Sequence, residues 1–291
     1  MARVADRLPD NAPGDFYVDR SCIDCDTCRR VAPSVFAAGT GHSYVREQPG
    51  DPEATRRALM ALVACPTSSI GTVSRRNARQ GAEAFPEPID DDVSFCGFTS
   101  ERSFGAWSYF VERPKGNVLV DSPRAAGPLL EALDRRGGIA TMFLTHRDDV
   151  ADHAAIRRRF GCERILHRDD VTAGTREVER QLSGREPVRL DEDLVAIPTP
   201  GHTRGHAVLL YRNRYLFTGD HLAWSERRRA LVAFRDANWY SWPETIHSME
   251  RLLDFSFEWV LPGHGARHRA ESAAAMRRDV EACVAWMKRA A

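Results

Sequence analysis

The 291-residue chain has no net charge, since forty-one basic residues offset forty-one acidic ones. Without an overall field it is not drawn to nucleic acid or to a membrane surface, and the arginine runs at 157–159 and 227–229 read as solvated local patches. No apolar stretch approaches bilayer-spanning length, and the opening Met-Ala-Arg-Val-Ala-Asp-Arg-Leu-Pro-Asp lacks the apolar run of an export signal. The expectation is therefore a cytoplasmic protein with neither a membrane nor a nucleic-acid partner. In a reducing compartment the seven cysteines, an odd number, do not make a disulfide framework and point to metal or redox use. At 43% hydrophobic residues there is material for a sizeable core, and the length suits about two domains.

Four of those cysteines have a pattern. Cys22-Ile-Asp-Cys25-Asp-Thr-Cys28 offers three thiolates at every third position, and Cys65 with Pro66 behind it lies well downstream. Such spacing wraps one loop around a cluster and closes the fourth corner from afar, as iron–sulfur ligation requires, whereas zinc more often pairs two C-x2-C knuckles. Around it, Asp15 to Asp19 reads as a strand, residues 29–36 as a helical turn, Pro52 to Ala64 as a helix with proline near its start, and Ser68 to Val73 as a returning strand. The segment resembles a single-cluster bacterial ferredoxin. The resemblance implies a 4Fe-4S cluster on Cys22, Cys25, Cys28 and Cys65 in a ferredoxin-like domain over 1–75, which carries single electrons or is purely structural.

Residues 76–92 hold prolines and charges without apolar periodicity and read as a linker. From Val93 to the end, strands feed helices. A hairpin over 107–121, a helix over 125–136 stopped by Gly137-Gly138, and a buried strand over 139–144 come first. Strands near 164–167, 194–198, 207–212, 215–218 and 257–261 follow, with helices near 243–254 and 269–288. Strands in hairpins as well as α-linked strands favour two mixed sheets with helices outside over a doubly wound parallel sheet.

After the 139–144 strand, His146, Asp148, Asp149, Asp152 and His153 crowd into eight residues. These groups repel one another unless a cation neutralises them; the competing reading is an acidic helix start. Three more strand-end turns carry His or Asp beside glycine: Thr199-Pro-Gly-His202-Thr-Arg-Gly-His206, Thr218-Gly-Asp220-His221 and Pro262-Gly-His264. Glycine permits the tight turn that lets a short side chain point into a shared cleft, and four such turns can assemble a dinuclear metal site.

These motifs resemble the successive motifs of the metallo-β-lactamase superfamily. The resemblance implies an αββα metallo-β-lactamase sandwich over 93–291, preceded by the small ferredoxin-like domain. It implies one or two metal ions at the sheet edges, with His146, His153 and His202 at or between them, Asp152 and His264 completing the second site, and Asp220 bridging. Asp152 and Asp220 are then the carboxylates that orient the attacking water. The usual first motif, H-x-H-x-D-H, is two residues longer here and lacks its second histidine. Asp148 falls in the register of that ligand, while Asp149, four residues before His153, could share its helical face.

A carboxylate in place of an imidazole hardens the site, moving preference from zinc toward iron or manganese. The leading expectation is thus an oxidoreductase, in which the cluster passes electrons to a di-iron centre acting on a small molecule. An electron-donor protein or reductase would then be its partner, and a homodimer would serve if the two centres lie far apart. The rival is a two-metal hydrolase of esters, thioesters, lactones or phosphodiesters, with a structural or regulatory cluster. Arg124 reads either as a grip on a substrate carboxylate or phosphate, or as a surface ion pair. His206, His221 and His268 read as structural neighbours of the metal motifs, and Cys96, Cys162 and Cys283 as small buried apolar residues. Trp239-Tyr-Ser-Trp242 lines the cleft or belongs to the core.

Overall fold

The strand expected over Asp15 to Asp19 is β1 (Phe16–Val18) in a computed structural model that describes residues 1–289. The cysteine loop runs from it into α1 (Thr27–Val31), and a hairpin that the sequence did not announce follows, β2 (Phe36–Ala38) with β3 (Ser43–Val45). Helix α2 (Pro52–Ala64) starts where its chemistry dictates: the Asp51 carboxylate accepts from the Ala54 N–H at 2.7 Å and Pro52 occupies the first turn. Its last turn delivers Cys65, and β4 (Ile70–Thr72) returns antiparallel to β1, with Phe16 opposite Thr72.

The stretch expected as a linker is ordered structure. It carries α3 (Arg79–Glu83) and β5 (Glu87–Asp90), which pairs antiparallel with β6 (Val93–Phe95), itself paired with β7 (Tyr109–Val111). The reason is close packing. A Cβ on Gly81 would lie 2.5 Å from the Leu59 carbonyl oxygen, so α3 lies directly on the α2 backbone, and Arg57 of α2 pairs with Glu87. Residues 79–83 and 87–90 of the expected linker are therefore structured in this molecule. Its two compact units are Met1–Asn117 with Pro123–Ile139 and Ala151–Phe160, and Val118–Ser122 with Ala140–Val150 and everything from Gly161 on. The first unit also holds α4 (Gly127–Arg135), stopped at Gly137 and Gly138 as expected, and α5 (His153–Phe160).

The second unit contains a parallel run of β8 (Val118–Val120), β9 (Thr141–Phe143), β10 (Glu163–His167) and β11 (Arg180–Leu182). Its other sheet is mixed. In it, β12 (Val188–Arg189), β13 (Leu194–Pro198), β14 (Ala207–Tyr211) and β15 (Tyr215–Gly219) form an antiparallel meander. The hairpin β16 (Ala223–Ser225) with β17 (Ala230–Val232) and the helix α6 (Trp242–Arg251) follow. Strand β18 (Trp259–Pro262) then joins β15 in parallel, with β19 (His268–Arg269) antiparallel beyond it, and α7 (Ala273–Arg289) is the last described element.

Every residue of β14 and β15 is buried, which explains their unbroken apolar runs. Leu210 and Leu216 pack with Met249 of α6 and with Met276, Val280 and Val284 of α7 in one core. Truncating either leucine to alanine costs about 2–5 kcal/mol. That rigid layer holds the ends of β13, β15 and β18, from which the polar turns project.

Candidate metal and cluster sites

The cysteine loop is shaped by two aspartates. Asp24 and Asp26 take left-handed φ values of 58° and 60°, which aspartate tolerates better than most residues. Arg29 reaches Asp24 at 2.5 Å, and Arg30 grips both oxygens of Asp26. So folded, Cys22, Cys25, Cys28 and Cys65 line one recess together with Val18, Ile23 and Ile70. All four are free thiols. Burial pushes the Cys25 thiol up to about 11 and raises Cys28 further, so neither ionises unaided near neutrality, and metal coordination is what would deprotonate them. The Ser43 and Ser69 N–H groups donate to Cys22 Sγ at 3.3 Å and Cys65 Sγ at 3.2 Å, the kind of contact that tunes a thiolate-bound cluster. Four convergent thiols fit the iron–sulfur group that their spacing implied.

In the second unit, the loop ends of β9, β13, β15 and β18 bring His146, Asp148, Asp149, His202, Asp220 and His264 together. His146 Nε2 stands 3.8 Å from Asp148 Oδ2 and 3.8 Å from Asp220 Oδ2. His202 Nε2 is 3.5 Å from Asp148 Oδ2 and 3.7 Å from Asp220 Oδ2, while His264 Nε2 is 3.7 Å from Asp220 Oδ2. Two ligand groups, His146 with Asp148 and His202, and His146 with Asp149 and Asp220, each keep their donor atoms within 4.8 Å. Glycine makes this closeness possible. At a bulge in β15, Gly219 has φ of 47°, and a Cβ there would sit 2.4 Å from Thr145 Oγ1; a Cβ on Gly263 would meet Asp149 Oδ2 and Asp220 Oδ1, both at 2.8 Å.

The electrostatics call for cations. His146 Nε2, His202 Nε2, Asp149 Oδ2 and Asp220 Oδ1 are buried with no hydrogen-bond partner, a state that metal ligation relieves. Burial raises the Asp149 carboxyl well above its usual range, and the neighbouring Asp220, Asp121 and Asp148 charges add to it. Burial likewise brings His146 down to about 4 and His221 to about 3, which keeps both imidazoles neutral and leaves His146 ready as a ligand. For His202 burial also acts downward, but Asp148 and Asp220 outweigh it and the net shift is upward. Contact with His202 holds Asp148 below the ordinary carboxylate range.

A second layer fixes the first. Thr145 Oγ1 donates to Asp121 at 2.9 Å, so toward His146 Nδ1, 3.0 Å away, it must accept. The proton is thereby placed on Nδ1 and the Nε2 lone pair faces the site. Asp121 and Thr145 escaped the sequence reading, although Asp121 ends β8 with the same strand-then-carboxylate signal as the other turns. His206 Nδ1 lies 2.8 Å from Thr199 Oγ1, and its ring centroid stands 5.2 Å from that of His146 and 5.5 Å from that of His221.

Asp152, expected at the second metal site, and His153, expected at or between the two metals, belong to the first unit. Asp152 occupies the cap of α5, its carbonyl accepting from Ala155 at 2.9 Å, and its carboxylate takes Ala125 N–H at 3.0 Å and Arg102 at 3.4 Å. Its carboxylate thus braces Ala125 and Arg102, and Asp149 is a carboxylate set beside Asp220 across Gly263. His153 is buried and opens α5. Arg124 makes neither a substrate grip nor a surface ion pair, since it bonds main-chain carbonyls at Val63, Cys65 and Thr99. Cys96, Cys162 and Cys283 are buried as expected, and His268 is structural, stacked on Trp224 and paired with Asp279 at 2.9 Å. The aromatic stretch divides: Trp242 packs on the core, whereas Trp239 is 62% exposed, 6.3 Å from the His202 ring.

Residues 103–264 match the family described as the metallo-beta-lactamase superfamily, and residues 18–72 match the one described as the 4Fe-4S single cluster domain of Ferredoxin I. The first match covers more than half of the chain, which therefore belongs to the metallo-β-lactamase superfamily and carries a ferredoxin-type domain in front of the sandwich. A hydroxyacylglutathione hydrolase of Rhizobium etli is 35% identical over 142 residues, 47% of this chain and 53% of that protein. One from Mesorhizobium japonicum is 34% identical over 119 residues, 38% of this chain and 46% of its own. The chain spans about half the length of the curated relatives it matches. Among solved structures, the DIM-1 metallo-beta-lactamase superposes with a TM-score of 0.52 at 15% identity, over 67% of this chain and 96% of its own, a likeness of fold. No helix among the described residues is long and apolar enough to cross a membrane.

Proposed function

We propose that this chain is a metal-dependent hydrolase of acyl thioesters or esters, with its ferredoxin-type domain in a structural or regulatory role. The carrying observation is the convergence of the His146, His202 and His264 imidazoles on one shared carboxylate, Asp220, beside a buried Asp149 whose carboxyl the neighbouring aspartates push up. His146, Asp148, His202 and Asp220 would hold one ion, and Asp149, Asp220 and His264 a second. With three aspartates in the set, iron or manganese suits it better than zinc. Bound divalent ions supply Lewis acidity toward an acyl carbonyl and lower the pKa of water. Asp121 and Thr145 keep His146 in the ligating tautomer, and exposed Trp239 offers an apolar wall beside His202. The relatives' name, hydroxyacylglutathione hydrolase, supports an acyl thioester as substrate class.

The test is anaerobic purification, metal analysis and assay with a hydroxyacyl-glutathione thioester. Hydrolysis that disappears on chelation and returns with divalent metal, the cluster spectrum unchanged throughout, is the expected result. A fully metallated protein that cleaves no thioester or ester overturns the proposal. A redox reading has one observation in its favour: Asp148 stands where an imidazole is usual, in a chain that also carries four convergent cysteines. Reoxidation of the reduced cluster by a small oxidant, dependent on the metals of the His/Asp cluster, would favour it instead, with an electron-donor protein as partner.

A further inference from the structure

Arg124 lies in the first unit and its guanidinium is a fan of main-chain contacts. Nε donates to Thr99 O at 2.7 Å, and Nη2 to Val63 O at 2.8 Å and Cys65 O at 3.3 Å. Its own N–H donates to Phe98 O at 2.9 Å. The cation is thus moored to the end of α2 that presents the fourth cysteine. One residue on, the Ala125 N–H donates to Asp152 Oδ2 at 3.0 Å, and Asp152 Oδ1 meets Arg102 at 3.4 Å. Along the chain Asp152 lies three residues beyond Asp149 and at the cap of α5. A partly buried cation whose bonded acceptors are neutral carbonyls is under-compensated, and a thiolate-ligated cluster, net negative, provides the missing counter-charge.

We propose that Arg124 and Asp152 are positioning residues that tie the Cys65 corner of the cluster recess to the far end of the metal-bearing turn, so that charge at the cluster and order in that turn change together. The link rests on the reading that the recess holds a 4Fe-4S cluster, which iron and acid-labile sulfide content tests separately. Coupling of this kind is reciprocal: whatever alters the turn must also alter the cluster's affinity for an electron.

The experiment compares wild type, Arg124→Met, Arg124→Lys and Asp152→Asn, each with its cluster in place, by redox titration and amide hydrogen exchange. Removing a positive charge near the cluster disfavours the reduced state, so Arg124→Met shifts the one-electron equilibrium about tenfold toward oxidised, or about 59 mV. The same variant exchanges the Ala125 amide several-fold faster. Arg124→Lys restores the potential, because the charge remains, but not the protection, because the fork is gone. Asp152→Asn removes a negative charge that Arg124 feels and moves the potential the other way, several-fold toward reduced. A purely structural Arg124 would leave the potential where it was. Arg124→Met with full iron and sulfide, an unmoved potential and unmoved Ala125 exchange overturns the link; should that variant not fold, an unmoved potential in Asp152→Asn does so. Wild-type protein that takes up no iron or sulfide overturns the cluster reading, and the proposal with it.

Discussion

The two candidate sites are built from opposite materials. The cysteine recess gathers four thiols, three of them within one loop, and burial has made Cys25 and Cys28 harder to ionise. The His/Asp cluster gathers imidazoles and carboxylates from four strand ends between residues 146 and 264, among them a buried Asp149 that burial and the Asp220 and Asp121 charges push well up. The first can remain protonated and uncharged, so its metal-free state costs little. The second cannot place all its charges without a cation, so its metal-free state is under electrostatic load. The lesson is that loss of metal should be felt differently in the two: as lost spectroscopy and potential in the recess, as lost stability and activity in the cluster.

Asp220 breaks that comparison most severely. Its Oδ2 lies 3.8 Å from His146 Nε2 and 3.7 Å from both His202 Nε2 and His264 Nε2. Asp220→Ala is expected to lose more than the roughly 100-fold in kcat/KM that an outer partner of a metal ligand costs, while the cluster absorbance stays intact. Cys28→Ser should do the converse, abolishing visible absorbance and leaving two divalent metals bound. Kinetics and metal content on the same preparations check both, and a shared loss in either variant would mean the two sites are not separable.

Next in size is the choice between Asp149 and Asp152. Asp149→Ala should drop metal content from two ions to one, because its orphaned Oδ2 faces Asp220 across Gly263. Asp152→Ala should retain two and lose stability instead, by roughly 1 kcal/mol, because the Ala125 N–H loses its carboxylate acceptor. Metal analysis alone decides, and one ion left in Asp152→Ala would restore it as a ligand. Smaller again, Thr145→Val keeps the β-branched shape but frees the His146 ring. About 10–100-fold weaker metal binding is expected, measured by competition with a chelator.

How much of this the sequence displayed depends on range. The cysteine loop was legible because its ligands lie three residues apart, and His146, His202, Asp220 and His264 because each follows a strand and most sit beside glycine. Asp149 was harder to see. Within the 146–153 crowd Asp149 faces Asp220 while Asp152, three residues on, turns to Ala125 and Arg102, a division that depends on α5 starting at His153 and that spacing alone does not display. The order at 79–90 was invisible for a related reason. Charges and prolines describe composition, whereas the contact that orders the segment is the absence of a side chain at Gly81 against the Leu59 backbone. Arg124 was misread because its acceptors are carbonyls, which leave no trace in the sequence.

The finest test of the contrast is pH. In metal-free protein, burial and the Asp220 charge lift Asp121 up to about 8, against two hydrogen bonds from Thr145, and Asp149 shifts the same way. A carboxyl raised on folding binds more protons folded than unfolded between its two pKa values, so its contribution is full below about 4 and is lost as pH rises toward 8. His146, lowered to about 4, acts oppositely: its contribution is present above about 6.5 and is lost as pH falls through 4. Between pH 6.5 and 8 the His146 term is therefore flat, and stability is eroded by the carboxylates together with His202, whose raised pKa makes its contribution fall in the same direction. Divalent metal neutralises the carboxylates, so the rise in Tm on adding metal should be larger at pH 8 than at pH 6.5, by about 2–4 °C for each kcal/mol relieved in a domain of this size. Calorimetry at the two pH values checks it. An equal gain at both would mean that the carboxylates carry no such load, and the difference drawn between the two sites would lose its electrostatic basis.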